Sequence, residues 1–328
     1  MRSIPFYPMM VFVLIGLGGY LGCDPNSIPA PELGEQAALT STSSSSNSPT
    51  SIPQRSASTV LIGSFNLERL GPSKLSDPWV MEKFADIIRL FDVIALQEIT
   101  SKDQRTLPTL IEQINRSGGR YSYTISPRVG REASGYYEQY AYVFDTSRIR
   151  GGPEFCYLVQ DQADILHREP FVGRFEAIGA NQPFSFTLIN MHTDPDEIKY
   201  ELDVLADVFV NVRQFEYPED DVMLLGDLNA SPAQFQKLGT IPGLVPLIQG
   251  IPTNSRQNKT LDNILTDLQM SREYTGRSGA IDVERMFRLQ LADAERISDH
   301  LPIWAEFTIS EQVGGFSSMA GATPTVVR

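Results

Sequence analysis

The chain of 328 residues is poor in side chains that cross-link small folds: it has two cysteines, Cys23 and Cys156, and three histidines. So few cysteines exclude a disulfide-built miniprotein, and no Cys/His group has the spacing of a structural zinc site. The apolar run at residues 9–21 (MMVFVLIGLGGYL) falls short of the roughly 20 residues that a membrane-spanning helix needs. No internal repeat is present. Positive charge is in deficit, with 27 Lys and Arg against 40 Asp and Glu, a formal net charge of -13. Such a surface does not attract nucleic acid over its whole extent, so polyanion binding requires a local basic patch or bridging cations.

The ends read differently from the middle. Arg2 ahead of the apolar run has the layout of an export signal. The run ends at Leu21-Gly22-Cys23, which resembles the lipobox of bacterial lipoproteins, although Tyr20 stands where an aliphatic residue is usual. The resemblance implies lipidation at Cys23, with ordinary cleavage nearby as the alternative. The expectation is an exported protein, either a cell-surface or periplasmic lipoprotein or a secreted form. Its membrane contact would be through that anchor alone. Residues 24–58 are Ser/Thr/Pro-rich and cannot bury enough surface to offset ordering entropy, so they read as a disordered tether. Residues 310–328 have no amphipathic period and read as a fraying tail. One folded domain, 59–309, remains, and the acidity belongs to it: residues 59–328 hold 25 of the basic and 37 of the acidic side chains.

Within this domain, residues 59–65 (TVLIGSF) and 93–96 (VIAL) read as buried strands, with a helical pattern at 79–90 between them. A second helix is expected over 107–114. Strands follow at 121–125, 140–144, 155–159, 171–178 and 184–190, then a helix at 197–212 and strands at 222–225, 261–265 and 302–307. So many apolar strands in one domain are buried most simply by a two-sheet α/β sandwich with outer helices. A monomer is expected. Cys156, in an apolar strand pattern, reads as a small buried hydrophobe, and His167, in a charged loop, as solvent-exposed.

Polar residues gather where these strands end: Asn66, Gln97-Glu98, His192, Asp227 and Asn229, Asp262, and Ser298-Asp299-His300. Each alone is an ordinary turn-former or cap. Together they have a chemistry. Glu98, Asn66 and Asp299 offer hard oxygen ligands of the kind that hold Mg²⁺, with Mn²⁺ or Ca²⁺ as alternatives. His192 and His300 can act as general acid and base near neutral pH. Asp227 and Asn229, two apart, can orient water or a phosphoryl oxygen. Metal plus acid/base histidines describes assisted phosphodiester hydrolysis.

The motifs SFN, LQE, GDLNA and SDH, in that order, resemble the endonuclease/exonuclease/phosphatase superfamily. Longer stretches at 129–144 (VGREASGYYEQYAYVF), 168–170 (REP), 192–208 and 222–230 resemble its deoxyribonuclease I family. The resemblance implies Glu98 as principal metal ligand with Asn66 and Asp299 nearby, and His192–Glu138 and His300–Asp262 as histidine–carboxylate pairs. It implies Arg168 against a DNA phosphate and Tyr136 against the sugar–base face, with DNA as partner. The departures concern the DNA groove: Thr100 replaces a minor-groove arginine, Glu68 a basic residue, and the loop carrying Arg131 is two residues longer. Pro232 and Lys259 stand where the family has a disulfide. The expected activity is metal-dependent, sequence-tolerant DNA hydrolysis. A phosphodiesterase or phosphatase acting on a lipid or inositol-phosphate head group is the second reading, and a non-catalytic binding module the third.

Overall fold

The computed structural model describes residues 52–216 and 219–312. The expected signal segment, the lipid site at Cys23, most of the tether and the tail beyond Gln312 lie outside the described residues. Among the described residues, thirteen strands form two sheets. In chain order they are β1 (Thr59–Leu70), β2 (Val93–Ile99), β3 (Tyr121–Ile125), β4 (Gln139–Asp145), β5 (Ile149–Arg150), β6 (Cys156–Leu158) and β7 (Phe171–Ala177). There follow β8 (Ser185–His192), β9 (Val222–Asp227), β10 (Leu244–Pro246), β11 (Asp262–Asp267), β12 (Tyr274–Ala280) and β13 (Ile303–Thr308). One sheet has the order β12-β13-β1-β2-β4-β3, the other β10-β11-β9-β8-β7-β5, with β6 also on β7. This is the expected two-sheet α/β sandwich.

Each sheet has one parallel pair at its centre, β1/β2 and β8/β9, and is antiparallel elsewhere. A parallel pair needs a long crossover. Helices α1 (Pro72–Leu75) and α2 (Pro78–Ile88) supply the first, and α3 (Thr106–Asn115) follows β2. Helix α4 (Ile198–Phe215) supplies the second crossover, and α5 (Val283–Phe287) and α6 (Leu291–Ile297) precede β13. Helix α2 begins where Asp77 accepts from the Trp79 and Val80 amides and Pro78 presets the first turn. The central strands are buried on both faces, which is why VIAL and VMLL are continuous apolar runs rather than alternating ones. The inter-sheet core carries a chain of rings, including Phe184–Phe186 with centroids 4.8 Å apart and Tyr142–Phe175 at 5.1 Å. A second cluster lies under α4, where Leu202, Leu205 and Phe209 meet Ile189 and Leu224.

Three expectations are corrected. Arg55, assigned to the tether, is docked on the domain: its guanidinium donates to Asp92 (2.8 Å), Asp145 (2.6 Å) and the Tyr121 hydroxyl (2.9 Å). Residues 310–312, assigned to the tail, are held as well, with the Glu311 amide donating to the Gln182 carbonyl. His167 is half-buried, its Nδ1 3.0 Å from Asp194 Oδ2, because helix α4 brings Glu201 under the same loop to accept the His167 amide. Cys156 is free and half-buried. Strands β5, β10 and β12 and helices α1, α5 and α6 were not expected. In β12, YTGRSGA alternates too little to stand out, since it is an edge strand with exposed positions.

The fully buried Asp92 carboxylate accepts from the Leu61 amide (2.8 Å), Arg55 Nε and Arg148 Nε (2.6 Å). Neutralising it takes the carboxylate from Arg148 and leaves Arg55 with Asp145 alone, so Asp92→Asn is expected to lower unfolding free energy by about 3 kcal/mol in urea titrations.

Candidate active site

The carboxyl ends of the two parallel pairs face each other across the sandwich. Asn66 on β1, Glu98 on β2, His192 on β8 and Asp227 on β9 all sit there. Open α/β sheets use the same place for ligands, because the loops leaving such ends carry polar groups toward one crevice. Strand β11 adds Asp262 from its near end, Glu138 comes from the residue just before β4, and the loop before β13 adds Asp299 and His300.

Irregular backbone aims these side chains. The β1/β2 ladder slips between Asn66 and Leu70, and the β2/β4 ladder between Leu96 and Ile99. Within these bulges Glu68, Arg69 and Glu98 take φ of 45°, 59° and 61°, and Asn229 takes 48° beyond β9. A non-glycine residue rarely adopts such values, and bulges characteristically re-aim side chains at functional edges. Gly226, at φ 142°, is required by packing: a Cβ there would lie 1.8 Å from the Met191 carbonyl oxygen.

Asp227 is the centre. It is buried, and its Oδ2 lies 3.6 Å from His192 Nε2 and 3.4 Å from His300 Nε2, and accepts from Asn66 Nδ2 at 3.0 Å. Its Oδ1 accepts the Asn229 amide at 2.9 Å, and Asn229 Nδ2 donates to the Thr193 carbonyl. Each imidazole is held from behind: His192 Nδ1 meets Glu138 at 3.0 Å, and His300 Nδ1 meets Asp262 at 2.9 Å. Both expected pairs are thus brought together. Burial disfavours charge on His192, but Glu138 outweighs it and raises the ring above the usual histidine range. For His300, burial is overcome by Asp262 and Asp227, and the ring rises well above that range. Burial likewise works against Asp227 and Glu138, yet the neighbouring imidazoles hold both below the usual carboxylate range.

Glu98 lies beside this centre. Its Oε1 accepts from Asn66 Nδ2 (3.0 Å), and its Oε2 from the Arg69 amide (3.0 Å) and the Tyr136 hydroxyl (3.1 Å). Tyr136 reaches Glu138 equally, at 3.1 Å. Asp299 stands at the mouth with its side chain 58% exposed, 3.8 Å from His300 Nε2. Burial raises the Glu68 carboxyl, Lys74 opposes, and the charges of Asp299 and Glu98 add to the rise. Glu98 and Asp299 are carboxylates that could hold a hard divalent cation, whereas Asn66 turns Nδ2 to Glu98 and Asp227 and accepts the Glu68 amide at Oδ1. Asp227, Asp262 and His300 also bring ligand atoms within 4.8 Å of one another, but the His300–Asp262 bond already engages two of them.

Arg168 lies beneath the site rather than on its surface. Its side chain is 4% exposed, Nε donates to the His192 carbonyl at 2.9 Å, and Nη2 is buried without an acceptor among the described residues. The Tyr136 ring is flanked by the guanidinium groups of exposed Arg69 (5.8 Å) and buried Arg168 (5.9 Å). Arg131 turns away to Glu197, at 2.9 Å.

Sequence reading missed what lies underneath. Gln97 Nε2 donates to Asn190 Oδ1 (2.7 Å) and Ser64 Oγ (3.0 Å), while Asn190 Nδ2 reaches the Leu96 carbonyl (3.2 Å), joining the two sheets below the histidines. The Ser298 hydroxyl donates to the Asn66 carbonyl at 2.7 Å and accepts the His300 amide. The signal for Asn190 was a polar residue ending an expected apolar strand two residues before His192, which alone has no direction.

The profile of the Endonuclease/Exonuclease/phosphatase family matches residues 63–300, from β1 to His300. The chain belongs to this family. Deoxyribonuclease-1-like 1 of Sus scrofa is 33% identical over 259 residues, 75% of this chain and 80% of that protein. Deoxyribonuclease gamma of Rattus norvegicus is 31% identical over 261 residues, 73% of this chain and 82% of that protein. The human Nocturnin catalytic domain with bound sulfate anion superposes with a TM-score of 0.52 at 13% identity, covering 77% of this chain and 95% of that one. D. rerio TDP2 complexed with single strand DNA product does so at 0.51 and 20% identity, covering 76% and 98%. At those identities the two structures share the fold. In family terms, the matched segment runs across the described part of the domain and includes every residue of the crevice.

Removing the amide of Asn190 orphans buried groups on both sheets. Asn190→Ala is expected to cost about 2 kcal/mol in chemical denaturation.

Proposed function

We propose that the protein is a metal-dependent endonuclease hydrolysing DNA phosphodiester bonds with little sequence preference. One observation carries the reading: two imidazoles, each backed by its own carboxylate, converge through Nε2 on the single buried oxygen Asp227 Oδ2. The relatives named as deoxyribonucleases support DNA as substrate. Glu98 would hold a divalent cation, Mg²⁺ in the first instance, with Asn66 and Asp299; bound there, it would offset phosphate charge and stabilise the charge that develops on the phosphoryl oxygens.

The residues of the chain do the rest. Asp227 and Asn229 orient the attacking water. One imidazole takes its proton, and the other supplies a proton to the leaving oxygen. Glu138 and Asp262 fix the ring tautomers and favour protonated imidazole. Arg168 sets the His192 carbonyl through Nε; its assignment to the substrate phosphate rests on the family resemblance alone, since Nη2 is buried below the crevice. Tyr136, between two guanidinium groups, is assigned to the sugar–base face. The sequence of residues 1–23 supports export, with Cys23 as lipid anchor.

Plasmid nicking by the purified protein should require Mg²⁺ or Mn²⁺ and stop with chelator. His192→Ala and His300→Ala should each lower kcat by about 10²–10⁴, with circular dichroism unchanged. Turnover of inositol phosphates or sphingomyelin vesicles with intact plasmid would show a head-group phosphoesterase instead, and silence on every substrate a binding module. Arg168→Ala is expected to lower kcat and flatten the salt dependence of DNA binding by about one counterion. An unchanged slope would remove Arg168 from the phosphate contact.

A further inference from the structure

A second carboxylate group lies at the opposite pole. Strand β9 ends on Asp227 and starts one residue after Asp221, six residues and roughly 20 Å away. Asp221 is 1% exposed, and both its carboxylate oxygens are buried without a hydrogen-bond donor among the described residues. The Ser271 hydroxyl, 2.7 Å from the Thr266 hydroxyl, is near enough to favour the charged Asp221 carboxylate, but it is a single neutral donor against three carboxylates. Ligand oxygens of Asp221, Glu273 and Glu311 lie within 4.8 Å of one another, as do those of Glu219, Asp220 and Asp221.

Charge compensation by protein is thin. Arg174 approaches Glu219 at 3.4 Å, and Ser185 Oγ also donates to Glu219. Glu311 Oε1 accepts the Ser185 amide, and Glu273 Oε1 the Gln312 amide. A buried carboxylate without a donor is costly, and three together repel. Burial and the charge of Glu273 push Asp221 up to about 9, and burial pushes Glu311 up to about 7. The group also occupies a mechanically useful place. Glu273 precedes β12 and Glu311 follows β13 in one sheet, whereas Glu219 and Asp221 precede β9 in the other.

We propose that Asp221, Glu273 and Glu311 form a structural Ca²⁺ site that clasps the two sheets at the pole away from the catalytic crevice. Ca²⁺ suits an all-carboxylate set because it takes many oxygens in adaptable geometry. The binding is predicted to be independent of the crevice and of whatever reaction it performs.

Thermal unfolding of the full chain in millimolar Ca²⁺ and in EDTA tests the site. Ca²⁺ should raise the midpoint by about 5 °C, and should do so equally in Glu98→Gln, where the crevice metal site is disabled. Asp221→Asn and Glu311→Gln should each lose the shift while nicking plasmid at the parent rate in saturating Mg²⁺. In EDTA, Asp221→Asn should melt no lower than the parent, since it removes an uncompensated buried charge. A parent midpoint indifferent to Ca²⁺ would overturn the site and leave a proton as what holds the group. A shift that vanishes in Glu98→Gln, or persists in Asp221→Asn and Glu311→Gln, would also overturn it.

Discussion

Everything in the crevice is organised around one buried carboxylate. Asp227 is out of water yet charged, because two imidazoles, the Asn66 amide and the Asn229 backbone amide face it. A buried anion is tolerated when it is paired and hydrogen-bonded, and each partner here comes from a different part of the chain. Strands β1, β8 and β9 and the loop before β13 must therefore end in register for the charge to be stable. Assembling the crevice and satisfying Asp227 are the same event.

Two devices bring the groups to that point. The parallel pairs β1/β2 and β8/β9 place four strand ends opposite one another. The bulges in β1 and β2 then rotate Glu98 out of the strand alternation and into the crevice, at a backbone angle that costs energy for any residue but glycine. The surrounding hydrogen bonds to Glu98 from Asn66, Arg69 and Tyr136 hold it there.

The negative net charge is consistent with this architecture. Carboxylates back the imidazoles at Glu138 and Asp262, meet both of them at Asp227, and line the crevice at Glu98 and Asp299. Elsewhere they close the domain, as in the Asp92 pairing with Arg55 and Arg148. Basic groups are few near the cleft and are placed singly: Arg168 below Tyr136, Arg69 above it. Attraction of a polyanion would then be a local matter, as the net charge requires.

By itself the sequence determined the sandwich and its central strands, because buried parallel strands must be continuous apolar runs and amphipathic crossovers must repeat at helical spacing. It also named the crevice residues, since polar side chains closing such runs at Asn66, Glu98, His192, Asp227 and His300 have few structural uses in common. It could not show β12, whose edge position asks for no apolar pattern, nor the docking of Arg55, whose partners are 37 and 90 residues away. The burial of Arg168, the Gln97–Asn190 bridge and the bent backbone at Glu98 were likewise decided by tertiary structure. A periodic pattern records which face a residue turns inward; whether two inward-facing polar groups meet depends on distances between strands that no local stretch contains.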